Sequence, residues 1–463
     1  MVASMALEND FMDILGQQPA MHKLYTQICS IYAVPDSSNH DTIINTLRNG
    51  LDTLTELFPW LSGEVINEGA SEGNTGVYKI IRAERIPLIV KNHQQDTSAP
   101  TMNALREANF PISLLDENLL APCLTLNLPG NTVGLAAHSA PVFAVQANFI
   151  TGGLILTFVG QHNVMDMTGQ DAVIEWLDKI CHGTPLTQED ISIGNMDRTK
   201  TVSLFGDDYK PGPELDEQMI QPPPSELNGS SVPTMPAPST WAYITFSATA
   251  LESLKTDATK TVTLPSGFVS TDDALCAFLW KCVSRARIPR LAANKMSSFA
   301  RAVDIRQRMG LPVSYPGMFQ NMTYQHDTLQ SLAEKPIGVI ASEFRRQLDP
   351  RVRDLVYNAR SLATYLTRTP DKTKVSFTAC VDIPSGIALS SWAKIKCYDR
   401  DFNLGLGKPE VVRRPGFIPV ESLLYFMPRS SNGEMAVAIC LRDEDWVRLR
   451  ADEEFGRYAT YIG

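Results

Sequence analysis

The sequence predicts an α/β protein built as two domains. Three observations lead there. At 463 residues the chain exceeds what one ordinary hydrophobic core holds, so two domains of about 200 residues each are the default. Apolar strand patterns and amphipathic helix patterns alternate through both halves. Between the halves, residues 206 to 240 collect Pro211, Pro213, Pro222, Pro223, Pro224, Pro233, Pro236 and Pro238 among serine, glycine and acidic residues. That stretch reads as a linker or long crossover with little to pack. The expected division is a first domain over 1–215, a crossover over 216–240 and a second domain over 241–463.

The first half opens with a strand from Tyr25 through TQICSIYAV. A helix follows, with Asp41, Thr42, Ile43, Leu47, Leu51 and Leu54 at helical spacing up to Pro59. Gly69-Ala70-Ser71-Glu72-Gly73 matches the Gly-x-Ser-x-Gly of serine hydrolases. A nucleophile elbow needs a buried strand before it and a helix after it. Here the flanks are polar and Gly73-Asn74-Thr75-Gly76 leads into another strand, so it reads as a plain turn.

Residues 142 to 159 form a predicted hairpin turning at Thr151-Gly152-Gly153. Its second strand, Gly153 to Gln161, is almost unbroken apolar sequence and should be buried on both faces. It runs directly into His162-Asn163-Val164-Met165-Asp166. A helix is expected next, with Thr168 and Asp171 as its N-terminal cap pair. Ala172, Val173, Trp176, Leu177 and Ile180 form its apolar face, and Gly183 and Pro185 end it. His162 and Asp166 therefore lie on the turn between a rigid strand and a helix, a common setting for catalysis. The spacing alone is a weak signal in a chain with seven histidines.

The second half restarts with the strand Trp241-AYITF and an amphipathic segment near Leu251. Ser270 to Asp273 open a strong helix whose apolar face is Leu275, Phe278, Leu279, Cys282, Val283 and Ala286. A basic run begins on that helix: Lys281, Arg285, Arg287, Arg290, Lys295, Arg301, Arg306 and Arg308, against the single acid Asp304. It reads either as a solvated face or as a docking site for a polyanion such as a nucleotide phosphate. Gly405-Leu406-Gly407-Lys408 resembles part of a phosphate loop, but it lacks the upstream glycine and Pro409 follows.

Composition excludes several functions. The net charge of -10 argues against general nucleic-acid binding. The eight cysteines are scattered with no Cys-x-x-Cys pair, so neither a zinc site nor a redox motif is expected. The N-terminal MVASMALENDFMDIL lacks a signal-peptide pattern, and no run approaches the roughly 20 apolar residues of a membrane span. A cytoplasmic protein without metal, nucleic-acid or membrane partners is expected.

The motifs gain weight in order: His162-x-x-x-Asp166, Val303-Asp304-x-Arg306, Ser390-Ser391-Trp392, and Asp401-Phe402-x-x-Gly405. This set resembles the BAHD superfamily of coenzyme A-dependent acyltransferases. SEGNTG (71–76), GQDAVI (169–174), FVSTDDAL (268–275), NMTY (321–324), LATYL (362–366), LSSWAK (389–394), GLGKPE (405–410) and ESLLYFMP (421–428) are similar to the fungal trichothecene 3-O-acetyltransferases over nearly the whole chain.

The resemblance implies two similar domains, each a mixed β-sheet with helices, and an active-site tunnel between them. Acyl-CoA would enter from one end and an alcohol from the other. His162 would be the general base, a role suited to its unperturbed pKa near ~6.5. The family's Asp turns from the tunnel to an Arg, so Asp166, Arg306 and the late Asp401 are expected to be structural or orienting. Ser390, Ser391, Trp392 and Lys394 are expected at the acyl-CoA, with the Ser hydroxyls and the Trp392 N–H as candidate donors to the tetrahedral intermediate.

No acyl-enzyme is expected, and the chain is expected to act as a monomer on acetyl-CoA and a small-molecule alcohol. Two departures stand out. Asn403 replaces a family Gly, and Asn163 replaces a small Gly beside the base, where it would narrow the acceptor pocket or add a hydrogen bond. The leading reading is acetylation of a trichothecene 3-hydroxyl. The alternatives are a different fungal metabolite, a longer acyl chain, or a catalytically weak binding protein.

Overall fold

The computed structural model describes residues 9–35, 40–221 and 237–463. Most of the Pro-rich 216–240 crossover lies outside the described residues, as do the first eight residues of the stretch read for a signal peptide. No helix among the described residues is long and apolar enough to cross a membrane.

Two mixed sheets organise the chain. The first has five strands in the order Val411–Arg413, Tyr25–Ala33, Gly153–Gln161, Phe143–Ile150 and Leu88–Asn92; only the last pair is parallel. The second has seven, in the order Gln320–Thr328, Met296–Asp304, Ile387–Ser391, Leu423–Phe426, Met435–Arg442, Ser239–Phe246 and Thr460–Tyr461. Ile387–Ser391 runs parallel to both neighbours and the remaining pairs are antiparallel. A small antiparallel sheet joins Asn9–Phe11, Val77–Ile81 and Glu64–Glu68. The sheets follow the two halves of the sequence with one exchange. Val411–Arg413, from the second half, closes the edge of the first sheet beside Tyr25–Ala33.

The strand Gly153–Gln161 is buried at every position, as its unbroken apolar sequence requires. It sits at the centre of the five-stranded sheet, flanked by Tyr25–Ala33 and Phe143–Ile150. A central strand buried on both faces has no freedom to shift register, so the residues at its end are fixed. The helix Met167–Cys181 packs against His40–Leu57, burying Val173, Ile174, Trp176 and Leu177. Each such side chain contributes roughly 1.5–3 kcal/mol on leaving water.

Three expectations need correction. The cap of Met167–Cys181 is Asp166, whose carboxylate accepts from the Gly169 N–H, rather than the Thr168/Asp171 pair. The start of the Pro-rich stretch does pack: Leu215, in the short turn Pro213–Gln218, is buried with Leu355, Leu362 and Val375. The basic run does not form a continuous cationic surface: all eight cations have acceptors in the protein, and six of them are buried or half-buried, with Lys295 and Arg308 exposed. Lys281 caps the carbonyls of Ala333 and Lys335, and Arg285 pairs with Asp452 and Glu454. Arg287 donates to Gly386 and Ser422, and Arg290 to Asp445. Lys295 pairs with Asp382, Arg301 with Asp273, Arg306 with Asp166 and Asp304, and Arg308 donates to Leu348. Helix and sheet edges need these donors, so they serve the fold.

Candidate active site

His162 follows the last residue of the central strand. Its backbone N–H donates to the Leu24 carbonyl at 2.7 Å, and the Val164 and Met165 N–H groups donate back to the Gln161 carbonyl. The turn is tight enough that Gly16 is needed opposite it. A Cβ there would lie 1.9 Å from the Asn163 carbonyl oxygen. Arg198 ties the turn from below, its Nη1 donating to the Val164 carbonyl at 2.9 Å and to Asp13 at 3.1 Å.

Asp166 ends the turn and is fully engaged. Its two oxygens accept from Arg306 Nη1 and Nη2 at 2.9 and 2.8 Å, from the Gly169 N–H at 2.9 Å and from the Phe319 N–H at 2.9 Å. Burial would push this carboxyl up. The Arg306 charge, its hydrogen bonds and the two backbone amides outweigh burial and hold the carboxyl below its ordinary value. Among the described residues no hydrogen bond joins Asp166 to His162, and the buried Nδ1 of His162 has no protein partner. Burial also lowers the His162 pKa, and the nearby Asp166 charge only partly offsets this. Burial thus favours the neutral imidazole, the form with a lone pair to accept a proton.

His162 lines a cavity of about 430 Å³ between the two large sheets. One wall comes from Leu24 to Thr26 and Thr125; the other from Ala302, Gln320 and Met322, and from Ala388 to Ser390. Trp392, Phe417 and Tyr425 add aromatic surface. The lining is largely apolar, with a few convergent polar groups, as small-molecule sites are.

The Ser-Ser-Trp segment divides its tasks. Ser390 and Trp392 line the cavity. The Trp392 Nε1–H donates to Ser390 Oγ at 2.9 Å, so it is not a free donor to a reacting oxygen. Ser390 Oγ accepts that bond, which leaves its own O–H to donate into the cavity. Ser391 turns away and donates to Asp272 at 3.0 Å. Lys394 is exposed and lies outside the cavity lining.

Asp401 lies at the far end of the helix that follows the histidine. Its Oδ1 accepts from the Asn403 N–H at 2.9 Å and sits 2.7 Å from His182 Nε2. Phe402 and Asn403 both adopt left-handed backbone, at φ 51° and 53°. Asn is the best non-Gly residue for that conformation, and here it also contributes. Its Nδ2 donates to the Cys181 carbonyl at 3.2 Å, meeting an orphan acceptor at the helix end. The Phe402 N–H donates to Asp178, and Arg400 pairs with Asp171. The loop with the Gly-to-Asn departure is thus clamped along the helix. Asp178, His182 and Asp401 also bring three ligand-type atoms within 4.8 Å of one another, but the short His182–Asp401 pair accounts for the closest approach.

Asn163 does not narrow the cavity. Its side chain is fully buried, is absent from the lining, and its amide has no protein partner. Sequence reasoning missed Asp13, Arg198 and Tyr315, which support the turn and the loop donating to Asp166. Tyr315 donates its hydroxyl to Asp13 at 2.6 Å, and Arg306 Nε donates to the Tyr315 carbonyl. No local pattern marks these residues.

Comparison with known proteins shows the family. Residues 24–181 match the trichothecene 3-O-acetyltransferase-like N-terminal domain, and residues 112–455 match the Transferase family. A trichothecene 3-O-acetyltransferase from Saccharomyces cerevisiae is 56% identical, covering 99% of this chain and 96% of that protein. The O-acetyltransferase dmxR13 of Cryptosporiopsis sp. is 48% identical, covering 98% and 97%. The crystal structure of Fusarium sporotrichioides TRI101 complexed with coenzyme A and T-2 superposes with a TM-score of 0.91 at 47% identity, covering 98% of this chain and 100% of that one.

Proposed function

The chain belongs to the Transferase family and is an acyl-CoA-dependent O-acyltransferase, and on that premise we propose that it transfers acetyl from acetyl-CoA to the 3-hydroxyl of a trichothecene. His162 is the general base. It takes the hydroxyl proton as that oxygen attacks the thioester carbonyl, and the resulting imidazolium returns the proton to the departing thiolate. A positioned base of this kind contributes ~10²–10⁴ in rate. Ser390, whose hydroxyl oxygen already accepts from Trp392, donates its O–H to the oxyanion. Asp166, Arg306 and Asp401 hold the loop and helix that aim the base. The halves 1–215 and 241–463 act as two domains, with the site between their sheets.

The observation that carries this reading is His162 itself: an imidazole at the end of a fully buried strand, opening on an apolar cavity, with its neighbouring carboxylate committed elsewhere. A second observation supports transfer without an acyl-enzyme. No cysteine lines the cavity, and burial pushes thiols such as Cys123 and Cys181 up to about 12. A thiolate nucleophile is therefore poorly available.

The test is incubation with acetyl-CoA and a panel of trichothecene alcohols, following free thiol release and product mass. Thiol release with a mass gain of one acetyl group on the 3-hydroxyl supports the reading. Acetylation of unrelated alcohols only would move the acceptor toward another fungal metabolite.

A further inference from the structure

Arg414 is a buried cation in the wall of the reaction cavity, and it is short of acceptors. Only 1% of it is exposed, and it lines the same cavity as His162. The guanidinium carbon lies 4.1 Å from the Phe417 ring centre and 4.4 Å from that of Tyr425, and both rings also line the cavity. Nη2 donates to Thr125 Oγ1 at 2.8 Å. Nε and Nη1 have no acceptor in the protein.

No carboxylate lies within ion-pair distance of Arg414 among the described residues. Its charge is balanced one step away, because Thr125, which accepts from Arg414, donates its own N–H to Glu117 at 2.6 Å. The guanidinium therefore lacks hydrogen-bond acceptors more than it lacks counter-charge. That favours a dipolar oxygen over a full anion.

The Arg414 backbone is held independently, its N–H donating to the Tyr243 hydroxyl at 2.8 Å and its carbonyl accepting from that hydroxyl at 3.0 Å. A buried donor left unpaired costs stability, and such groups persist where a ligand completes them.

We propose that Arg414 is a specificity-determining residue that donates to a ketone or ester oxygen of the acceptor, distinct from the hydroxyl being acylated. This rests on the acceptor class proposed above. It predicts preference for acceptors that carry such an oxygen, because a site with a polar group to satisfy discriminates strongly against an analogue lacking the partner.

The test uses two 3-hydroxy trichothecenes, one bearing a ring ketone and one with that ketone reduced to a methylene. Binding of each to the wild-type protein is measured by calorimetry without acetyl-CoA. The ketone should bind at least about tenfold tighter. In Arg414→Gln, KM for the ketone should rise by a similar factor with kcat little changed, while KM for the deoxygenated acceptor and for acetyl-CoA stays the same. Arg414→Lys should retain part of the preference. Equal binding of the two acceptors to the wild type overturns the inference, as does an equal loss for both acceptors in Arg414→Gln. The binding comparison needs no turnover, and repeated with Arg414→Gln, in which the two acceptors should bind alike, it decides the role of Arg414 even where acetylation itself fails and the proposed reaction falls.

Discussion

Arg306 and Asp166, 140 residues apart in sequence, meet as a two-pronged pair with N–O distances of 2.8 and 2.9 Å. Arg306 spends its other donors on the carbonyls of Tyr315 and Gly317 and on Asp304. Asp166 has its remaining capacity filled by the Gly169 and Phe319 amides. One pair thus fixes the His162 turn, the start of the following helix and the 315–319 loop. A carboxylate used this way has nothing left to orient an imidazole.

Breaking the pair should therefore damage fold and activity together. Arg306→Ala leaves the buried Asp166 charge without its cation, at a cost of roughly 3–5 kcal/mol, and Asp166→Asn leaves Arg306 with Asp304 as its one remaining carboxylate, at a smaller cost. Urea unfolding measured beside turnover checks this. Full stability in both variants, with activity lost only in Asp166→Asn, would mean a catalytic triad instead. The pH dependence has a definite sign. The Asp166 carboxyl is held below its ordinary value, so its contribution is present above the unfolded carboxyl range and is lost as pH falls through the depressed native value.

His162→Ala should behave differently. Turnover should fall by ~10²–10⁴, with the unfolding midpoint nearly unchanged, because the ring makes no hydrogen bond through Nδ1. Burial lowers the His162 pKa, so the base is deprotonated and competent below its ordinary value. The acid limb of kcat/KM should then lie below pH ~6.5, the unperturbed imidazole value. A limb above that value would assign the profile to another group.

How much of this was legible in sequence depends on distance along the chain. The strand Gly153–Gln161 and the helix after it are readable because period is a local signal, although the cap falls on Asp166 and not on the Thr168/Asp171 pair. Arg306 as the partner of Asp166 came only through family resemblance, since no local pattern links positions 140 apart. The basic run misled because a charge count in a window cannot see Asp445, Asp452 or Asp273, which the fold brings to it. Ser391 and Trp392 were found as a motif, but which of their donors was free depended on Asp272 and Ser390 in three dimensions. Arg414 carried no signal at all. Its meaning comes from Thr125, Phe417 and Tyr425 meeting around it.

Asn403 offers a separate test of the helix clamp. Asn403→Ala keeps a left-handed backbone with a less tolerant residue and removes the bond to the Cys181 carbonyl. A loss of roughly 1–2 kcal/mol is expected. Asn403→Gly relieves the backbone while losing the same bond, so it should sit close to the wild type. Thermal melts of the two variants decide this; equal losses in both would place the whole effect in the hydrogen bond.

Kinetic order tests the architecture and the chemistry together. The cavity is walled by residues of both large sheets, with His162 on one side and Ser390 on the other. The proposed reaction has acyl donor and alcohol bound in this site at once, with no covalent carrier. Ser71, the serine of the Gly-x-Ser-x-Gly match, is exposed in a turn closed by Asn74 and lies outside the cavity lining. Cys181 sits at the far end of the helix with its thiol pushed up to about 12. Direct transfer then gives sequential kinetics, with double-reciprocal lines that converge. It also gives no burst of free CoA when enzyme meets acetyl-CoA alone. A stoichiometric burst, with an acetyl adduct on the intact protein, would establish a ping-pong route through a nucleophile of the protein.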